Sequence, residues 1–154
     1  MSYPIQLILD SAGEGIYGLD VEGATTFVNP AAQRMTGYTE AEMIGNCQHK
    51  MVHHSKPDGT PYSHLDCPIY AAFKNGKAYG ISNEVFWRKD GTSFPVDYTS
   101  TPIVKNGRCL GAVVVAVISD LSFRNAPGGS CCLPPFRSRP AIGSRRRTAW
   151  CRRS

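Results

Sequence analysis

Phe27-Val28-Asn29-Pro30-Ala31-Ala32-Gln33-Arg34-Met35-Thr36-Gly37-Tyr38-Thr39-Glu40-Ala41-Glu42-Met43-Ile44-Gly45 has a recognisable signal at every junction. Asn29 suits a helix N-cap, because its side-chain oxygen accepts from the free amides of the first turn. Pro30 fits the first helical position, where its missing N–H has no partner to lose. Gly37 fits the left-handed position just past the end of that helix. Thr39 with Glu42 three residues on forms a capping box for a second short helix ending near Gly45. Met35, Met43 and Ile44 are expected to turn inward from this helix pair.

Upstream, Gly15 to Asp20 and Thr25 to Val28 read as two strands, with Asp20 to Gly23 supplying the turn between them. Pro4 to Leu9 is an apolar segment expected to make a helical turn. Downstream, residues 46–62 are less regular, and Lys56-Pro57-Asp58-Gly59-Thr60-Pro61 marks a loop. Pro68 disfavours helical geometry at Cys67, so the next helix is expected over Pro68 to Asn75, with Ile69, Ala72 and Phe73 on one face. Three strands follow, at Ile81 to Trp87, Thr92 to Val104 and Cys109 to Ser119. The middle one alternates, with Phe94, Val96 and Tyr98 on one face against Ser93, Asp97 and Thr99. The last is apolar on both faces over Leu110 to Ile118, as in a central strand covered on both sides or one that presents a face to a partner. Two strands, several short helices and three strands make an α+β domain with an antiparallel sheet.

The 154 residues carry a formal charge of +5, but unevenly. Residues 1–124 hold ten Lys/Arg against twelve Asp/Glu; residues 125–154 hold seven Lys/Arg and no acid. A nucleic-acid reading of the overall pI would therefore rest on the tail alone, through non-specific charge. That tail, with Pro127-Gly128-Gly129-Ser130, Cys131-Cys132 and Arg145-Arg146-Arg147, lacks helical or strand periodicity and is expected not to fold with the rest. The longest apolar stretch falls short of the roughly 20 residues of a membrane helix. Met1 to Pro4 begins no basic-then-apolar leader, so a cytoplasmic location and reduced thiols are expected.

The quoted stretch resembles the N-terminal motif of PAS domains. Trp87-Arg88-Lys89-Asp90-Gly91-Thr92-Ser93-Phe94-Pro95-Val96 resembles the hairpin between their third and fourth strands, and Ile118-Ser119-Asp120-Leu121-Ser122 with Arg124 resembles their exit toward an effector. The three motifs occur in the family's order over residues 5–124. The resemblance implies a PAS fold: a five-stranded antiparallel sheet in the order 2-1-5-4-3, with short helices on one face. It implies a cytoplasmic sensory or dimerisation module of a bacterial histidine kinase or diguanylate cyclase, forming a homodimer and binding a small ligand or a partner. Asp120, Leu121 and Arg124 would then carry the signal out. The chain has no kinase or cyclase motif, so the reading assigns residues 1–124 to the module and places the effector elsewhere.

Phe27, Met35, Met43, Met51, Ile69, Phe73, Val85, Tyr98, Val113 and Val115 are the candidates for lining a ligand pocket, with Tyr98 as its polar handle. The same pattern is also that of a plain core. Cys47, His49, His53, His54, His64 and Cys67 fall within 21 residues. On a helix His49 and His53 would share a face, as ligands of one zinc or iron ion must. The reading favours no bound cofactor and keeps a metal ion or haem as the alternatives. Haem in similar sensors is held by a His on the helix before the third strand; that helix contains none here, and His64 lies just ahead of it. Gly45-Asn46-Cys47-Gln48 departs from the flavin motif of the light-sensing members, which sets flavin aside. A small catalytic domain with Cys67 as nucleophile and His64 or His54 as base is the reading outside the family.

Overall fold

The computed structural model of the protein describes residues 4–119. Within it Ile5–Ser11 forms α1, Gly15–Asp20 and Thr25–Val28 form β1 and β2, and Pro30–Thr36 and Glu40–Met43 form α2 and α3. Gln48–Val52 is α4, a short 3-10 turn covers His64–Asp66, and Pro68–Asn75 is α5. Tyr79–Trp87, Ser93–Lys105 and Arg108–Ile118 are β3, β4 and β5. Asp120, Leu121 and Arg124, with the whole 125–154 segment, lie outside the described residues.

The caps act as their chemistry dictates. Asn29 accepts from the Ala32 amide, Gly37 closes α2 at φ 76°, and Thr39 with Glu42 completes the capping box of α3. Ile44 is a correction: it leaves α3 in an extended conformation and is exposed instead of turning inward. The segment after it is also more regular than its composition suggests, because α4 forms there.

All five strands pair antiparallel in the order β2-β1-β5-β4-β3. β5 is central, flanked by β1 and β4, but helices cover only one of its faces: Ala112, Val114 and Ala116 are buried there, while Val113 and Val115 on the other face are only half-buried. Tyr17, Leu19, Phe86, Phe94, Val96, Tyr98, Ala112, Val114 and Ala116 turn to the helix-covered face, where Met43, Val52, Ile69, Ala72 and Phe73 close over them. Removing a side chain such as Ile69 or Val114 from water contributes about 1.5–3 kcal/mol each.

Strand parity corrects four of the pocket candidates. Val113 and Val115 pair with Gly18 and Ile16 on the opposite face, Phe27 pairs with Gly18, and Val85 pairs with Pro95. A strand alternates its side chains, so once Val114 and Ala116 face the helices, Val113 and Val115 cannot. Among the described residues no helix is long and apolar enough to cross a membrane.

Candidate functional site

The buried polar groups of the helix-covered face gather where α4, the start of α5 and β3 meet. His49 lies in α4 and His53 is the residue that caps its C-terminus, Cys67 is the N-cap residue of α5, and Glu84 comes from β3. His53 is 1% exposed. Its Nε2 lies 2.8 Å from Glu84 Oε2 and its Nδ1 lies 3.2 Å from Cys67 Sγ. Glu84 also accepts from Tyr98 Oη at 2.7 Å and from Tyr62 Oη at 3.1 Å. Burial pushes the Glu84 carboxyl up, but the hydrogen bonds from His53, Tyr98 and Tyr62 outweigh it and hold the group below the ordinary carboxylate value. It is therefore ionised at neutral pH and only accepts, so the hydrogen on His53 Nε2 points at it.

His49 repeats the arrangement. Its Nε2 lies 2.7 Å from the Tyr62 carbonyl oxygen, which can only accept, so Nε2 carries the hydrogen there too. Burial holds the ring below the ordinary imidazole value, and it is neutral at pH 7. Its Nδ1, although buried, has no hydrogen-bond partner among the described residues. Burial pushes the Cys67 thiol up to about 11. A thiol held protonated in this way is a poor nucleophile.

Of the six His and Cys candidates, His49, His53 and Cys67 are brought together, one donor atom from each lying within 4.8 Å of the others. His64 is exposed on the 3-10 turn, its ring 6.4 Å from that of His49. Cys47 Sγ sits 3.2 Å from Tyr70 Oη. His54 is exposed, bonds Ser55 and stacks on Trp87, away from the cluster. The expected pairing of Cys67 with His64 or His54 as base is corrected, since the imidazole against Cys67 is that of His53. Sequence reading missed Glu84 and Tyr62. A carboxylate amid the strand residues of Ile81 to Trp87 was the available signal, but a strand exposes half its residues and Glu84 could have belonged to either half.

Among the pocket candidates, Met43, Ile69, Phe73 and Tyr98 are buried in the core, while Met35 and Met51 are half-buried against it. A surface cleft of about 500 Å³ lies elsewhere, lined by Arg34, Met35, Arg88, Asp90 and Ile118 among others. Met35 is the one pocket candidate on its wall.

The sheet order, the helices over one face and the motifs at residues 27–45 and 87–96 agree with a family comparison: a family model described as the PAS fold matches residues 4–117. The chain belongs to the PAS family. Over 113 residues it is 32% identical to the probable diguanylate cyclase DgcE of Escherichia coli (strain K12), covering 72% of this chain and 10% of that protein. Over 118 residues it is 29% identical to the signal transduction histidine-protein kinase AtoS of the same organism, covering 77% of this chain and 18% of that one. The chain thus spans less than a fifth of either relative. Among solved structures, the PAS domain of nitrogen regulation protein NR(II) from Vibrio parahaemolyticus aligns with a TM-score of 0.60 at 19% identity, over 76% of this chain and 99% of that one. A PAS domain from Colwellia psychrerythraea aligns at 0.60 and 19%, over 73% and 91%. These two show the fold. The PAS domain is a sensory module and not itself catalytic.

Proposed function

We propose that this PAS domain is the input and dimerisation module of a bacterial signal-transduction protein. In this reading a change on the helix-covered face passes through the sheet to an effector, a histidine kinase or a diguanylate cyclase, in the cytoplasm. One observation carries the reading. About three quarters of this chain is homologous both to a part of a probable cyclase (113 residues) and to a part of a histidine kinase (118 residues), two proteins with different outputs. What a module keeps in front of different effectors is its input and its coupling.

The sheet suits that role, because β5 is central and ends beside the exit motif. Its last residues pair with Val96 and Asp97 of β4, and the Ser119 amide bonds the Pro95 carbonyl. A change in β4 is therefore delivered to the backbone just ahead of Asp120. The test is a chimera in which residues 1–124 replace the matching segment of the AtoS kinase, with autophosphorylation as readout. The chimera is expected to be active, and Asp120→Ala to alter its activity without lowering the melting temperature of the domain. An inactive chimera, or activity indifferent to Asp120→Ala and to substitutions on the helix-covered face, would sink the reading.

A further inference from the structure

His49, His53 and Cys67 are three buried side chains that each bring one donor atom within 4.8 Å of the others. The cluster is the point where α4, α5 and β3 are tied together. Each imidazole commits its Nε2 hydrogen outward, His53 to the Glu84 carboxylate and His49 to the Tyr62 carbonyl. That leaves both Nδ1 lone pairs for the interior. One of them, on a His49 only 4% exposed, makes no hydrogen bond among the described residues. A buried acceptor without a partner destabilises the fold, and a cation beside it removes that penalty.

We propose that His49, His53 and Cys67 are the protein ligands of a zinc(II) ion. One pair is already close to zinc spacing: His53 Nδ1 and Cys67 Sγ are 3.2 Å apart, and the His49 donor lies within 4.8 Å of both. A nitrogen and a thiolate sulfur sharing tetrahedral zinc, with bonds of about 2.0 and 2.3 Å, stand about 3.5 Å apart. The donor set fits as well, since imidazoles with a thiolate suit zinc and not calcium or magnesium, which take oxygen ligands. So does the surrounding shell. Metal-binding imidazoles donate their second N–H to a carboxylate or carbonyl, which fixes tautomer and orientation, and both rings here do so. As the zinc–sulfur bond forms, the Cys67 thiol gives its proton to solvent and no electron changes hands. Three protein donors leave the fourth position to water or an exogenous donor.

The site also reaches the sheet. Glu84 follows a break in the β3–β4 register between Ile81 and Glu84, where Asn83 adopts φ 62°. Metal held by His53 fixes the His53–Glu84 bond at that irregularity, so occupancy bears on the strand pair next to β5. The assignment stands apart from the signalling reading: a zinc-free chain could still gate an effector, and a zinc-bound one could fail to.

The test uses the full chain, stripped with chelator and titrated with zinc against a chromogenic competitor, and with cobalt(II) for its absorption. A second full-length version carries Cys131→Ser, Cys132→Ser and Cys151→Ser, so that tail thiols supply no donor. In both versions one metal ion per chain is expected, with a thiolate-to-cobalt charge-transfer band in the near ultraviolet. His49→Gln and Cys67→Ser should each weaken zinc binding by at least about a hundredfold, and Glu84→Gln by about 10–100-fold, as for the outer partner of a ligand. Cys109→Ser, outside the site, should change nothing. Circular dichroism checks folding, and if Cys67→Ser unfolds the chain, His49→Gln decides, because its amide can still donate to the Tyr62 carbonyl. No binding by the version lacking tail cysteines, or binding indifferent to His49→Gln, overturns the proposal.

Discussion

Asn29 is a fully buried side chain that makes four hydrogen bonds. Its Oδ1 accepts from the Ile16 and Ala32 amides, and its Nδ2 donates to the Leu9 and Glu14 carbonyls. One residue therefore caps α2, anchors the start of β1 and holds the end of α1. The cap was legible in the Asn-Pro pair, because capping is local. The other three bonds join residues 13 to 20 positions away, and no local pattern encodes them. Losing the cap costs about 1 kcal/mol, and stranding the other buried groups adds to that, so Asn29→Ala should lower stability by about 2–4 kcal/mol in urea unfolding. A loss below about 1 kcal/mol would mean that the cap alone matters. Two exposed carboxylates predict the acid limb of stability. The Lys89 hydrogen bond, then that of the Thr39 amide, lowers Glu42; the hydroxyl and amide of Thr92 lower Asp90. Each folded-state value lies below the unfolded one. The contribution is thus present above the unfolded pKa of about 4 and is lost as pH falls through the folded value. Glu42→Gln with Asp90→Asn should flatten the fall of melting temperature between about pH 5 and pH 3 while leaving its shape above pH 6 unchanged. An unaltered acid limb would exclude these two groups as its source.

The central strand β5 and the strands beside it show how far elements follow from pattern. The strands, the helices α2 and α3 and the helix at Pro68–Asn75 were readable from caps, turns and period-2 alternation, which are local signals; the sheet order came only from the resemblance to the family, and α4 was not read at all. The facing of β5 was not readable either. A strand apolar on both sides offers no contrast, and the parity that puts Val114 inward is set by its register with Tyr17 and Ser100. The cluster around Glu84 was half legible for a related reason: His49 and His53 announce a shared helix face, but their meeting with Cys67 and β3 depends on how α4 and α5 pack. Packing also makes one glycine of β5 irreplaceable. Gly111 has φ 149°, and a Cβ there would lie 1.9 Å from the Leu19 carbonyl oxygen of β1. Since both neighbouring strands are paired, neither backbone can retreat. Gly111→Ala should destabilise by about 3 kcal/mol or more, or leave the protein insoluble. Gly13→Ala is the control: it meets nothing within 4 Å and should be neutral, or stabilising by up to about 1 kcal/mol. Equal effects at the two positions would refute the close approach of β1 and β5.

At the scale of the whole molecule the two sheet faces differ in kind. One is sealed by α2 to α5 over the buried cluster; the other carries Phe27, Val85, Val113 and Val115, none of them fully covered. At the N-terminus α1 has no buried residue, and Ile5, Leu7 and Ile8 are 75%, 51% and 60% exposed. Apolar side chains in that state on a seven-residue helix gain nothing from the fold of one chain. A second copy related by a two-fold axis would cover them, because each α1 then meets the same surface on its partner. Ile5 and Ile8 lie three residues apart and share a face, so one double substitution tests the arrangement. Ile5→Asp with Ile8→Asp should convert a dimer to a monomer in sedimentation velocity and leave the melting temperature of the monomer fold unchanged, since neither side chain enters its core. If the double variant stays dimeric, association runs through the sheet face and not α1. A melting temperature that falls with the mass would mean that α1 stabilises each fold only by pairing, which makes association part of how this domain holds its shape.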